Sequence, residues 1–148
     1  MTHRLAVRLA LGWEALIALQ LGFWALFAPQ GFFDDFPGFG RSWVAVDGPF
    51  NEHLVRDVGA LNLALASLLI YAVIRATREL ASIAAIASLV WGVPHFVYHL
   101  FNTEGLSALD NAFSLGGLAL SVVFAAWILW AARRLDGHVE TVPGAAHG

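Results

Sequence analysis

The chain has 148 residues, 59% of them hydrophobic and only 13% charged, with a mean hydropathy of +0.69 and a formal net charge of −3. Soluble domains carry about 25% charged residues, so this composition argues against a water-soluble globule, and the small acidic excess gives no reason to expect nucleic-acid binding. There is no cysteine, which rules out disulfides, thiolate-bound metals and cysteine nucleophiles.

Four apolar stretches, 5–28, 54–74, 80–100 and 106–132, are each long enough to span a bilayer, which takes about 20 helical residues. Helix is the expected form because lipid cannot satisfy free backbone groups. The first stretch sits where a secretory leader would. It is too long for a typical leader core, carries Glu14 and Gln20, and has no small-x-small cleavage site after it, so it is expected to be retained. The connection 29–50, beginning "PQGFFDDFPGFGRSW", is rich in Phe, Gly and Pro. It is expected to lie in the outer membrane interface, where aromatic rings are favoured, either as a connector or as a lid. "DGPFNEH" reads as the start of the second helix, with Asp47 or Gly48 at the cap and Pro49 in the first turn. Glu52 and Arg56 are four apart in the favoured order for a helix-surface ion pair. In the third stretch, "WGVPHFVYHLFN" sets His95 and His99 one turn apart just after Pro94, which should kink the helix. "SALD" places Ser107 and Asp110 in a capping box that starts the fourth helix.

All eight cations are arginine, and their placement orients the chain. Arg4 and Arg8 open the first helix, Arg75 and Arg78 flank the turn between the second and third, and Arg133 and Arg134 follow the fourth. The connection between the third and fourth helices has no cation, and the long first connection sets Arg41 and Arg56 against Asp34, Asp35, Asp47, Glu52 and Asp57. The positive-inside rule then puts both termini in the cytoplasm and the acidic loops outside. The expected fold is therefore all-α: a four-transmembrane-helix bundle over 1–135 and a disordered cytoplasmic tail over 136–148, which holds His138 and His147. The Lys-free, Ala- and Arg-rich composition fits a GC-rich bacterium, so the expected location is the bacterial inner membrane.

With this orientation most ionisable groups fall at the outer surface. The expected polar cluster comprises His53, Arg56 and Asp57 on the second helix, His95, Tyr98, His99 and Asn102 on the third, and Asp110 on the fourth. Helical spacing groups His53, Asp57, Ala60, Ala64 and Ser67 into one stripe; Ser88, Gly92, His95, His99 and Asn102 into another; Asp110, Ser114, Gly117 and Ser121 into a third; and Glu14, Ala18, Gly22 and Ala25 into a fourth. Each mixes small and polar residues, which in membranes belong at helix contacts, so all four are expected to face inward, with the histidine stripe looking at the second helix. At about 1.5 Å per residue, Glu14, Ser67, Ser88 and Ser121 all lie roughly 20 Å from the outer end. They form an expected buried polar layer, either a structural clamp or a proton-accepting group with its hydrogen-bond donors.

Histidines at i and i+4 can share one metal, and Asp57 or His53 could complete a site of nitrogen and oxygen ligands suited to a divalent transition metal. The alternative is a hydrogen-bond network in which His95 and His99 pair with Asp57, Asp110 and Tyr98. Haem is disfavoured, because two histidines on one helix cannot ligate opposite faces of the ring. No P-loop, dinucleotide-binding glycine motif, nucleophile elbow or ExxH di-iron pair is present.

The basic start "HRLAVRLALGWEAL", the long outer loop and "RDVGALNLALASLLIYAV" together resemble small bacterial four-helix membrane proteins of the DoxX-like kind, over about residues 4–134. That resemblance implies a membrane-embedded bundle and little about chemistry. Three functions fit these features: a binding or accessory protein for a lipid, a lipophilic small molecule or a membrane protein partner; a membrane enzyme, metal-dependent in one version, acting on a lipophilic substrate; and a small transporter or proton path through Glu14.

Overall fold

The computed structural model describes residues 2–135, so the expectation for 136–148 lies outside the described residues. Four long helices dominate: α1 (Thr2–Phe27), α3 (Glu52–Arg75), α4 (Arg78–Phe101) and α5 (Ala108–Ala132). Each is long and apolar enough to cross a membrane, and each lies close to the apolar stretch that announced it. A short helix α2 (Pro29–Asp35), a two-residue-per-strand hairpin (β1, Pro37–Gly38; β2, Arg41–Ser42) and a single 3-10 turn (Ala45–Asp47) occupy the first connection.

Local chemistry sets the ends. The Ser107 hydroxyl accepts from Asp110 N–H at 3.1 Å, the first half of a capping box; the Asp110 carboxylate accepts in return from the Ser107 hydroxyl, at 2.6 Å, where a full capping box would use the Ser107 backbone N–H. The α3–α4 turn is only two residues: Ala76 adopts a left-handed conformation that closes α3, and Thr77 caps α4 by accepting from Leu80 N–H. The cap of α3 differs from expectation. Asn51, not Asp47 or Gly48, accepts from Leu54 N–H at 3.1 Å. Asp47 instead closes the 3-10 turn, and Gly48 has φ of 140°, which leaves Pro49 in a bend ahead of α3 rather than in its first turn. Pro94 lies inside α4 without ending it.

One end of the bundle is basic. His3 Nε2 lies 3.0 Å from the Ala131 carbonyl, Arg4 donates to the Arg75 carbonyl at 3.1 Å and Arg8 to the Ile74 carbonyl at 3.0 Å. These contacts gather the start of α1, the α3–α4 turn and the end of α5. The two guanidinium groups also meet the negative end of the α3 dipole. A core of Val7, Leu11, Ala15, Ala18, Ala66, Leu69, Ala72, Ala81, Ala84, Ala85, Ile128, Ala131 and Ala132 fills this half, with all four long helices contributing. A second, smaller core at the opposite end joins Ala25, Phe32 and Val55 to Leu21, Trp24, Phe36, Val44 and Phe50. It belongs to α1, α2, α3 and the first connection. The halves of α4 and α5 at that end contribute to neither core.

α1 and α3 are held together along their length by small residues. A Cβ on Gly59 would sit 2.4 Å from Leu26 N, and one on Gly22 would sit 2.7 Å from Leu63 Cδ2. Such close approach is how small residues promote helix association in lipid. It also corrects the expected inner face of α3. The buried stripe is Val55, Gly59, Asn62, Ala66, Leu69 and Ala72, whereas His53, Asp57, Ala60, Ala64 and Ser67 are all exposed. Alanines lie on several sides of this helix, so small size alone did not choose the face; the backbone approach at Gly59 did.

Candidate binding site

Beyond the buried segment Ala81–Ser88, α4 carries a ladder of aromatic rings. Trp91 stacks on His95 with centroids 5.4 Å apart, His95 meets His99 edge-on at 4.8 Å, and Tyr98 meets His99 edge-on at 5.3 Å. Both imidazoles are partly buried and Tyr98 is half exposed. Asn102 closes the helix, its side-chain amide donating to the Tyr98 carbonyl at 2.8 Å. The stripe does not look at α3 as expected. A Cβ on Gly92 would lie 3.4 Å from Val122 of α5, so this face of α4 turns toward α5.

The other polar residues divide between two places. On α3, His53 Nε2 lies 3.3 Å from the Asp57 carboxylate, on the exposed side of the helix. Arg56 pairs with Glu52 at 2.8 Å, as expected, and also donates to the Leu26 carbonyl at the end of α1. On α5, Asp110 accepts from the Ser107 hydroxyl, from Arg41 and from Trp43 Nε1, the last at 2.9 Å. Asp110 thereby fastens the hairpin of the first connection to the start of α5. A Cβ on Gly105 would lie 3.1 Å from Val46, a further point of contact between the first connection and the one between α4 and α5. The ion pairs among the described residues are Arg41–Asp110, His53–Asp57 and Arg56–Glu52; neither His95 nor His99 has a carboxylate partner. Among the described residues no group of three or more His, Asp or Glu side chains gathers to hold a metal ion.

Arg41 and Trp43 were not among the expected site residues, although both stand in the loop opposite a single acid at a helix start. Their pairing is 69 residues apart in sequence for Arg41, beyond the reach of any spacing rule. The first connection does reach the mouth of the bundle, by an aromatic run in which Trp24 packs edge-on against Phe32 and Phe36, and Phe36 against Trp43.

Deeper in the bundle, Glu14 and Ser88 are each only 7% exposed, and the Ser121 hydroxyl lies beside the Glu14 carboxyl. Glu14 Oε1 and Ser88 Oγ are fully buried with no hydrogen-bond partner. Ser67 does not join them: it is exposed and its hydroxyl turns back to the Leu63 carbonyl at 2.9 Å, because the whole stripe carrying it faces away. Asn62, buried on the true inner face, donates to the Val58 carbonyl at 2.9 Å. It was missed for the same reason.

No protein-family model, curated protein or solved structure matches the chain. The likeness to DoxX-like proteins therefore stays at the level of architecture, a four-helix and largely apolar bundle of a small multi-pass membrane protein.

Proposed function

We propose that this membrane protein is a binding or accessory protein that receives a lipophilic molecule carrying a polar head at the end where His95 and His99 stand. One observation supports this reading most. Two partly buried imidazoles, without a carboxylate partner among the described residues, occupy the half of α4 that serves neither core. Imidazole can donate and accept hydrogen bonds, and the neighbouring faces of Trp91 and Tyr98 suit a flat or unsaturated apolar body. The loop fastened through Arg41 and Trp43 to Asp110 would close the site from above. The positive-inside rule places this end outside the bacterial inner membrane, with both termini in the cytoplasm. A metal version of the site would use His95 and His99 with a third ligand supplied by the bound molecule or by a partner.

The test is native mass spectrometry of the full chain purified from its membrane in mild detergent, with metal analysis of the same sample. A co-purifying lipophilic species should be retained by the wild type and lost from His95→Phe and His99→Phe, which keep ring stacking but remove the nitrogens. Retention by both variants contradicts the reading. A stoichiometric metal lost from both would convert it to the metal version.

A further inference from the structure

The opposite end of the molecule carries a different feature. A groove of about 250 Å³ runs between Gly12, Leu16 and Leu19 on α1 and Ile70, Val73 and Ile74 on α3. All of its lining residues are apolar, and the pockets that take drug-sized ligands measure about 300–1,000 Å³; a slot of this size suits one extended hydrocarbon chain. Gly12 opens it: a Cβ at that position would meet nothing within 4 Å.

The groove is continuous with the basic end. Arg4, Arg8, Gly12, Ala15, Leu16 and Leu19 follow one another at helical spacing along a single face of α1, so Arg8 stands one turn from Gly12 and Arg4 one turn further. Both guanidinium groups are already fixed, Arg8 on the carbonyl of Ile74, itself a groove residue, and Arg4 on that of Arg75. Each bond uses a single Nη2 donor, and the guanidinium has five donors. Arg8 Nε is buried without a partner. No carboxylate among the described residues forms an ion pair with Arg4, Arg8, Arg75 or Arg78, since the ion pairs found there involve other residues. A second copy of this chain would bring its own arginines to the same level, and like charges would repel.

We propose that this face binds one anionic phospholipid of the leaflet at the basic end, with an acyl chain in the α1–α3 groove and the phosphate on Arg4 and Arg8. Charge and shape complement each other here: two pre-oriented forks suited to phosphate oxygens stand directly above an apolar slot. Basic pockets between helices at the cytoplasmic surface recognise anionic headgroups in this way.

The experiment is native mass spectrometry of the full chain titrated with phosphatidylglycerol or with phosphatidylcholine of the same acyl chains. The wild type should bind one phosphatidylglycerol about tenfold more tightly than phosphatidylcholine. Arg4→Gln/Arg8→Gln should remove that preference, whereas Arg133→Gln/Arg134→Gln, at the same membrane surface but off the groove, should keep it. Gly12→Leu, whose Cβ meets nothing within 4 Å and whose side chain would occupy the slot, should weaken both lipids. Glycerol phosphate, a headgroup without chains, should not bind at the same concentrations. Equal binding of the two lipids by the wild type, unchanged binding by Gly12→Leu, equal loss in the Arg133/Arg134 variant, or binding of glycerol phosphate as tightly as the lipid would each overturn the proposal.

Discussion

Glu14 is the residue whose environment is most at odds with its chemistry. A carboxyl near mid-membrane is unfavourable by a few kcal/mol on insertion scales. Here it is 7% exposed, with Oε1 unpartnered and only the Ser121 hydroxyl beside it. A structural clamp that used both oxygens would leave neither unpartnered, so the contribution of Glu14 to stability separates the two expectations for it. Glu14→Gln keeps the shape and a group for Ser121, and should leave stability within about 1 kcal/mol of the wild type. Glu14→Leu removes a buried oxygen that has no partner, and should stabilise the bundle by about 1–3 kcal/mol. Unfolding in a denaturing detergent titration measures both. A Leu variant less stable than the wild type would make Glu14 a structural clamp after all. The inner face of α1 could be read from spacing alone, since Glu14, Ala18, Gly22 and Ala25 are all buried. Ser67 could not, since an Ala-rich helix offers more than one small stripe.

Among the elements, the α1–α3 pair is the spine. It packs along its whole length, whereas the buried apolar residues of α4 and α5 all lie toward the basic end. Glycines report the difference. A Cβ on Gly59 would clash with the backbone of Leu26, while one on Gly116 or Gly117 of α5 would meet nothing within 4 Å. Gly59→Ala should therefore destabilise by about 1–3 kcal/mol through overpacking. Gly116→Ala should be neutral or stabilising, by up to about 1 kcal/mol from helix propensity. The same unfolding titration checks the pair; equal effects at the two positions would mean that the spine is not where α1 and α3 meet. Helix positions were legible because apolar length and caps such as Ser107 are local signals. The short helix α2 and the hairpin were not, because the hairpin's strands are two residues each and depend on contacts with distant elements. The docking of Arg41 and Trp43 on Asp110 is likewise a long-range fact. The α4 stripe expected to face inward is buried at Ser88, partly buried at Gly92, His95 and His99 and exposed at Asn102, and its neighbour at Gly92 is α5 rather than α3, because periodicity gives a face and not the helix opposite it.

The whole molecule has two unlike ends. One gathers Arg4, Arg8, Arg75 and Arg78 near the ends of three helices. The other carries His95, His99, the docked loop and, at the hairpin tip, Phe39 with 99% exposure, an aromatic side chain of the kind that settles at membrane interfaces. Both the proposed lipophile site outside and the proposed phospholipid site inside depend on which end faces the cytoplasm. Because the chain has no cysteine, single cysteines report sidedness without background. Glu79 and Glu104 are exposed, the first beside the α3–α4 turn and the second between α4 and α5, and replacing either leaves every arginine in place. In intact cells or right-side-out vesicles, a membrane-impermeant maleimide should label Glu104→Cys directly and Glu79→Cys only after permeabilisation. Labelling of Glu79→Cys from outside, or of both positions from the same side, would contradict the orientation on which both sites rest.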